Sequence, residues 1–277
     1  MRNLFLALAA FFVFTDLVSA QTRGAESSAG RPIVIGASEK IKSVELGETR
    51  TINVYLPDGY GARSDTNHYP VIYLLDGGVD EDFLHICGLV QFLSGIVDTI
   101  PKCIIVGIVN IDRKRDLTYP TTIEKDKKDF PTTGGSAKFI AFIEKELQPY
   151  VTQKYKTNGR KIVIGQSLGG LLATEILLKK PYLFSDYLIV SPSLWWDNES
   201  LFSHMREFIK MQNEDKKRIF IAVGAEGDKM VGDAKKLAGQ IKDKKDMQTN
   251  IVEMPAENHL TILHNAAYKG LEVLFAK

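Results

Sequence analysis

Cysteine is scarce in this chain. Two residues in 277, Cys87 and Cys103, exclude a disulfide-stapled scaffold and a cysteine-rich metal module. Both sit in apolar surroundings, one in an expected helix and one in an expected strand, so they read as buried free thiols. Net charge is scarce too. Lys and Arg number 35 against 34 Asp and Glu, and a balance of +1 leaves no electrostatic footprint for nucleic acid. Internal repeats and low-complexity linkers are missing, so nothing divides the chain into separate domains.

Long hydrophobic runs are missing as well, except at the start. Arg2 supplies a positive charge, Leu4 to Phe14 is almost wholly apolar, and Val18-Ser19-Ala20 ends the segment with small residues. The run is shorter than the roughly 20 residues a membrane span needs, and Asp16 interrupts its end. Residues 1–20 therefore read as a secretory signal peptide cut after Ala20. The expected product is exported, periplasmic or secreted, with no stable membrane anchor. Residues 21–31, rich in Ser, Gly and Ala, read as a flexible leader, and residues 32–277 as one domain.

Strand signals begin at Pro32-Ile33-Val34-Ile35, and Val44 to Leu46 with Arg50 to Leu56 reads as a hairpin across Gly47-Glu48. Val71 to Leu75 is a short continuous apolar run, the pattern of a buried parallel strand, and runs into Asp76-Gly77-Gly78. From there strands and helical patterns alternate. Helices are expected over Asp82 to Ile96, from Ser136 (as cap) to Val151, Leu201 to Met211, Asp233 to Lys242 and Asn265 to Phe275. Strands are expected at Cys103 to Val109, Tyr187 to Val190, Arg218 to Val223 and Ile251 to Met254. Ile111 to Gly135 is polar and reads as a long loop. The sum is an α/β domain with a mostly parallel, doubly wound sheet and an antiparallel N-terminal hairpin.

The most informative stretch is Lys161-Ile162-Val163-Ile164-Gly165-Gln166-Ser167-Leu168-Gly169-Gly170-Leu171. An apolar strand enters Gly-x-Ser-x-Gly and a helix follows. Ser167 stands at the apex of that turn, where strain holds its hydroxyl out of the sheet. The backbone N–H of Leu168 then opens the helix and is placed to receive an oxyanion. A serine nucleophile needs a base, and the base an orienting acid, in the chain order serine, acid, histidine. His259 follows the last strand, where a base is needed. His264 falls where the closing helix begins, and His68, His85 and His204 lie upstream. Glu226 and Asp228 both follow the penultimate strand; Glu226 is nearer its end and is preferred, with Asp228, or no acid, as alternatives. The N–H of Gly78 is the expected second oxyanion donor. Gly77, Arg115 in the long loop, and the Trp195-Trp196 pair are expected to contact substrate, with one indole packing and the other walling the site.

With these residues in hand, the chain resembles the putative-esterase group of α/β-hydrolases, which includes the enterobactin-type siderophore esterases. The matching stretches are Tyr73 to Gly77, Arg115-Asp116-Leu117-Thr118, Phe142 to Tyr150, Gly165 to Gly170, Ser191 to Trp196, Glu226-Gly227 and Glu257-Asn258-His259. The resemblance implies an α/β-hydrolase fold and hydrolysis of a small-molecule carboxylic ester through Ser167 and His259, with no metal or organic cofactor. Siderophore lactones, acylated sugars and small esters are all substrates within the group. One departure is Tyr119, inserted before Pro120, which changes the pocket shape to be expected. Two rival functions on the same fold are acyl transfer to an alcohol and ligand binding without catalysis.

Overall fold

The computed structural model describes residues 31–210 and 216–276. Residues 1–20, expected as a signal peptide, and residues 21–30 of the expected leader lie outside the described residues, as does Met211. Eight strands form one sheet: β1 (Ala37–Lys42), β2 (Thr49–Tyr55), β3 (Tyr69–Leu74), β4 (Ile104–Ile108), β5 (Thr157–Gln166), β6 (Asp186–Val190), β7 (Lys217–Gly224) and β8 (Met247–Met254). Their order across the sheet is β1-β2-β4-β3-β5-β6-β7-β8. β2 runs antiparallel to both β1 and β4, and every other pairing is parallel. The helices are α1 (Phe83–Gln91), α2 (Arg113–Leu117), α3 (Glu124–Asp129), α4 (Ser136–Phe142), α5 (Gln148–Lys154), α6 (Leu168–Lys179), α7 (Trp196–Glu199), α8 (Met205–Lys210), α9 (Gly227–Ile241) and α10 (Ile262–Phe275). Among the described residues, no helix is long and apolar enough to cross a membrane.

The central strands are apolar on both faces because both faces are covered. Ile219, Ile221 and Val223 of β7 join one core with Leu171 of α6 and Leu237 of α9. Phe220 and Ala222, alternating with them, join the other with Ile86 of α1 and Ala266 of α10. Each such fully buried Leu, Ile or Phe contributes about 1.5–3 kcal/mol. Cys87 and Cys103 are free and buried, and burial pushes both thiols up to about 12. They pack as hydrophobes.

Four expectations fail. Residues 32–36 form no strand, with Val34 79% exposed. The hairpin instead pairs Ala37–Lys42 with β2, and Val44 to Leu46 belongs to the connecting turn. The long loop Ile111 to Gly135 contains α2 and α3. Ser136 does not cap α4: Gly135 holds that position, and the buried Ser136 hydroxyl has no partner.

Candidate active site

The carboxyl ends of β3, β5, β6 and β7 and the loop after β8 meet at one rim, the place where parallel sheets bind ligands. At the end of β5, Ser167 has φ 59° and ψ −118°, a conformation a non-glycine residue adopts only under constraint. Strand and helix approach so closely here that a Cβ on Gly165 would lie 2.4 Å from the carbonyl oxygen of Gly169. Ser167 N–H donates to Val190 O at 3.0 Å, and Leu171 N–H donates to Ser167 O at 2.9 Å. The turn is thereby tied to both the neighbouring strand and the new helix. Leu168 is the first residue of α6, so no carbonyl of the helix takes its N–H.

His259 Nε2 lies 3.0 Å from Ser167 Oγ, and His259 Nδ1 lies 2.5 Å from Glu226 Oε2. The Glu226 side chain is 4% exposed and that of His259 39%. The second carboxylate oxygen of Glu226 accepts from the Ser191 hydroxyl and, at 3.1 Å, from Gly224 N–H. Gln166 Nε2 donates to the carbonyl of His259, fixing the backbone that carries the imidazole. Asp228 is exposed in the first turn of α9, away from this line of contacts. His264 stacks on His85 with ring nitrogens 2.8 Å apart.

Two clefts flank the Ser167–His259 pair. One, about 350 Å³, is lined by Asp76, Glu81, Asp82, Arg113 and Leu260. Arg113 grips Asp76 through two hydrogen bonds of 2.6 and 2.8 Å. Burial works against the guanidinium charge, but the Asp76 bonds outweigh it and hold Arg113 protonated more firmly than usual. Burial, helped by the Asp76 and Glu81 carboxylates, pushes Asp82 up to about 6, with Arg113 pulling the other way. The other cleft, about 400 Å³, is lined by Ser193, Trp195, Ala225 and Met230. Ser193 Oγ lies 3.4 Å from Ser167 Oγ.

Trp195 and Trp196 lie in different surroundings. Trp196 is fully buried, and its indole N–H donates to Tyr119 O at 2.9 Å. Tyr119 returns the contact through its hydroxyl to Trp196 O at 3.3 Å. The inserted tyrosine thus pins the packed indole, and Trp195 lines the cleft.

Three assignments need correction. Arg115 is not in the cleft. It bonds Asp116 at 2.7 Å and Glu48 at 2.6 Å, within a network that includes the buried Arg50. Arg113 occupies the position expected of it. Gly78 does not present a free N–H, which donates to Glu81 Oε2 at 2.7 Å as Glu81 folds back at the start of α1. Gly77 is packed against β4 rather than substrate: its N–H donates to Ile108 O at 3.0 Å, and a Cβ there would lie 2.3 Å from Gly107 Cα. Sequence reasoning also missed Gln166, Ser191 and Ser193. Their one signal is adjacency to Ser167 and to the strand end of β6.

A strained serine at a strand-to-helix turn, a histidine in hydrogen-bond reach and a buried carboxylate behind it define the layout of an α/β-hydrolase. The family whose profile matches, over residues 43–268, is described as putative esterase. The chain belongs to that family and is a carboxylic ester hydrolase. Among curated relatives, the ferri-bacillibactin esterase BesA of Bacillus subtilis is 28% identical over 220 residues, 70% of this chain and 75% of that one. The crystal structure of an IroE-like serine hydrolase from Shewanella oneidensis is 34% identical and superposes with a TM-score of 0.80, covering 87% of this chain and 80% of that one. The BES protein from Bacillus cereus, 26% identical, also reaches 0.80 and covers 90% of this chain and all of the other.

Proposed function

We propose that the chain is an exported siderophore esterase that works through an acyl-enzyme on Ser167. The observation that carries this is the unbroken contact line Ser167 Oγ, His259, Glu226, at 3.0 and 2.5 Å, in a chain whose relatives include named siderophore esterases. His259 Nε2 takes the proton from Ser167 Oγ as that oxygen attacks the ester carbonyl. Leu168 N–H receives the oxyanion. His259 then gives its proton to the leaving alcohol, and the same nitrogen activates the water that releases the acid. Glu226 accepts a hydrogen bond from His259 Nδ1–H, stays ionised and steadies the imidazolium. The two halves of the ester lie in the two clefts, an aromatic half against Trp195 and a polar half beside Arg113.

The test is a panel of trilactone siderophores, ferric and iron-free, with acylated sugars and small esters. Chromatography should show hydroxy-acid products from the lactones, at a kcat/KM exceeding that on the sugars. No turnover of any lactone would remove the substrate class, and alkyl esters formed with added alcohol would make the enzyme an acyltransferase. For export, the mature protein should begin at Gln21 when its N-terminus is sequenced from the extracytoplasmic fraction.

A further inference from the structure

Ser191 is the first residue after β6 and lies directly behind the acid. It is fully buried, and its N–H donates to Ala222 O at 2.8 Å. Its φ is 42°, in the left-handed region where a side chain is strained and glycine is not. A glycine would serve the backbone better, so the serine here carries a conformational cost. What it supplies is a hydroxyl donated to Glu226 Oε1, the oxygen that Gly224 N–H also reaches at 3.1 Å. Those two donors occupy Oε1 and leave Oε2 for His259 Nδ1, 2.5 Å away.

We propose that Ser191 is a positioning residue for the reaction. Its hydroxyl fixes the plane of the Glu226 carboxylate, so that an oxygen stays in line to accept from His259 Nδ1–H and the imidazole keeps the tautomer whose free Nε2 lone pair points at Ser167. The inference rests on the reading of Ser167, His259 and Glu226 as the reacting groups. Without the hydroxyl, Gly224 alone restrains the carboxylate, which can then rotate about its last bond. Substrate contacts are untouched, so the loss falls on kcat and not on KM.

The experiment compares Ser191→Gly, Ser191→Ala, Glu226→Ala and the double variant S191G/E226A in the full chain, with p-nitrophenyl acetate kinetics and thermal melts. Both single Ser191 variants should lose about tenfold in kcat, the scale of one charge-assisted hydrogen bond that is partly replaced, with KM changed by less than about twofold. The glycine variant should melt above the alanine variant, because it relieves the left-handed strain while deleting the same hydroxyl. In the Glu226→Ala background, adding Ser191→Gly should cost less than about twofold, since its effect passes through the carboxylate. A single glycine variant with parental kcat overturns the proposal, and so does an undiminished loss in the Glu226→Ala background. Parental activity in Glu226→Ala alone would overturn the underlying triad reading. Should the alanine variant fail to fold, the two glycine variants carry the test.

Discussion

Replacing Glu226 by Gln should be more damaging than removing the side chain. The reason lies in the environment of the two carboxylate oxygens. Oε1 faces two donors, the Ser191 hydroxyl and Gly224 N–H, while Oε2 faces His259 Nδ1 at 2.5 Å. A glutamine must keep its oxygen at the Oε1 position. Turning its amide nitrogen there would oppose two buried donors, each an unmet group costing about 1–3 kcal/mol. The nitrogen therefore faces Nδ1 and donates to it. Imidazole then carries its proton on Nε2, pointing at Ser167 Oγ 3.0 Å away, and the lone pair that should take the serine proton is gone. In serine hydrolases that tautomeric fault costs about 10⁴ in kcat, or about 5.4 kcal/mol at 1.36 kcal/mol per decade. Glu226→Ala leaves Nδ1 to water and does not force the wrong tautomer, so it should retain more activity than Glu226→Gln. The assay is steady-state hydrolysis of p-nitrophenyl acetate near pH 7.5, with circular dichroism showing that both variants fold. A glutamine variant as active as the alanine variant would refute the reasoning.

Other consequences follow from the same geometry. The Asp82 carboxyl, pushed up to about 6 by burial and by Asp76 and Glu81, binds its proton more tightly folded than unfolded. Stability from that group is complete below about pH 4 and is lost as pH rises through about 6, because the native state then holds the extra proton that unfolding releases. Asp82→Asn should therefore raise Tm at pH 8 and leave it nearly unchanged at pH 4; equal shifts at both would contradict this. Gly165→Ala would set a Cβ 2.4 Å from Gly169 O, backbone against backbone, and should cost about 3 kcal/mol or more, lowering Tm by roughly 5–10 °C in a melt. Trp195→Ala strips one wall of the 400 Å³ cleft and should raise KM for aryl-bearing esters about tenfold while leaving KM for acetyl esters nearly fixed.

The sequence made the central sheet legible because buried parallel strands are uninterrupted apolar runs, as at Val71 to Leu75, and helices between them show an apolar stripe. β1 escaped notice for the opposite reason. Of its six residues only Ile41 is buried, so an edge strand of Ala-Ser-Glu-Lys-Ile-Lys carries no alternation to read. α3 buries nothing and shows no stripe either, which is why it looked like loop. Ser167 and His259 were legible from motif and chain order. Arg113 and Arg115 were not distinguishable, since two residues along a helix lie roughly 200° apart and the sequence does not say which side meets the cleft. Glu48 and Asp116 decide it by capturing Arg115. Gly78 was misread because nothing in the sequence reveals that the side chain of Glu81 turns back onto it.

The most direct measurement of the central claim is intact-mass spectrometry after a fluorophosphonate probe, on the parent chain, Ser167→Ala and His259→Ala. One adduct should form on the parent and map to the peptide carrying Ser167, with none on Ser167→Ala and a labelling rate reduced by about 10³ or more on His259→Ala. An adduct of equal yield on Ser167→Ala would contradict the account.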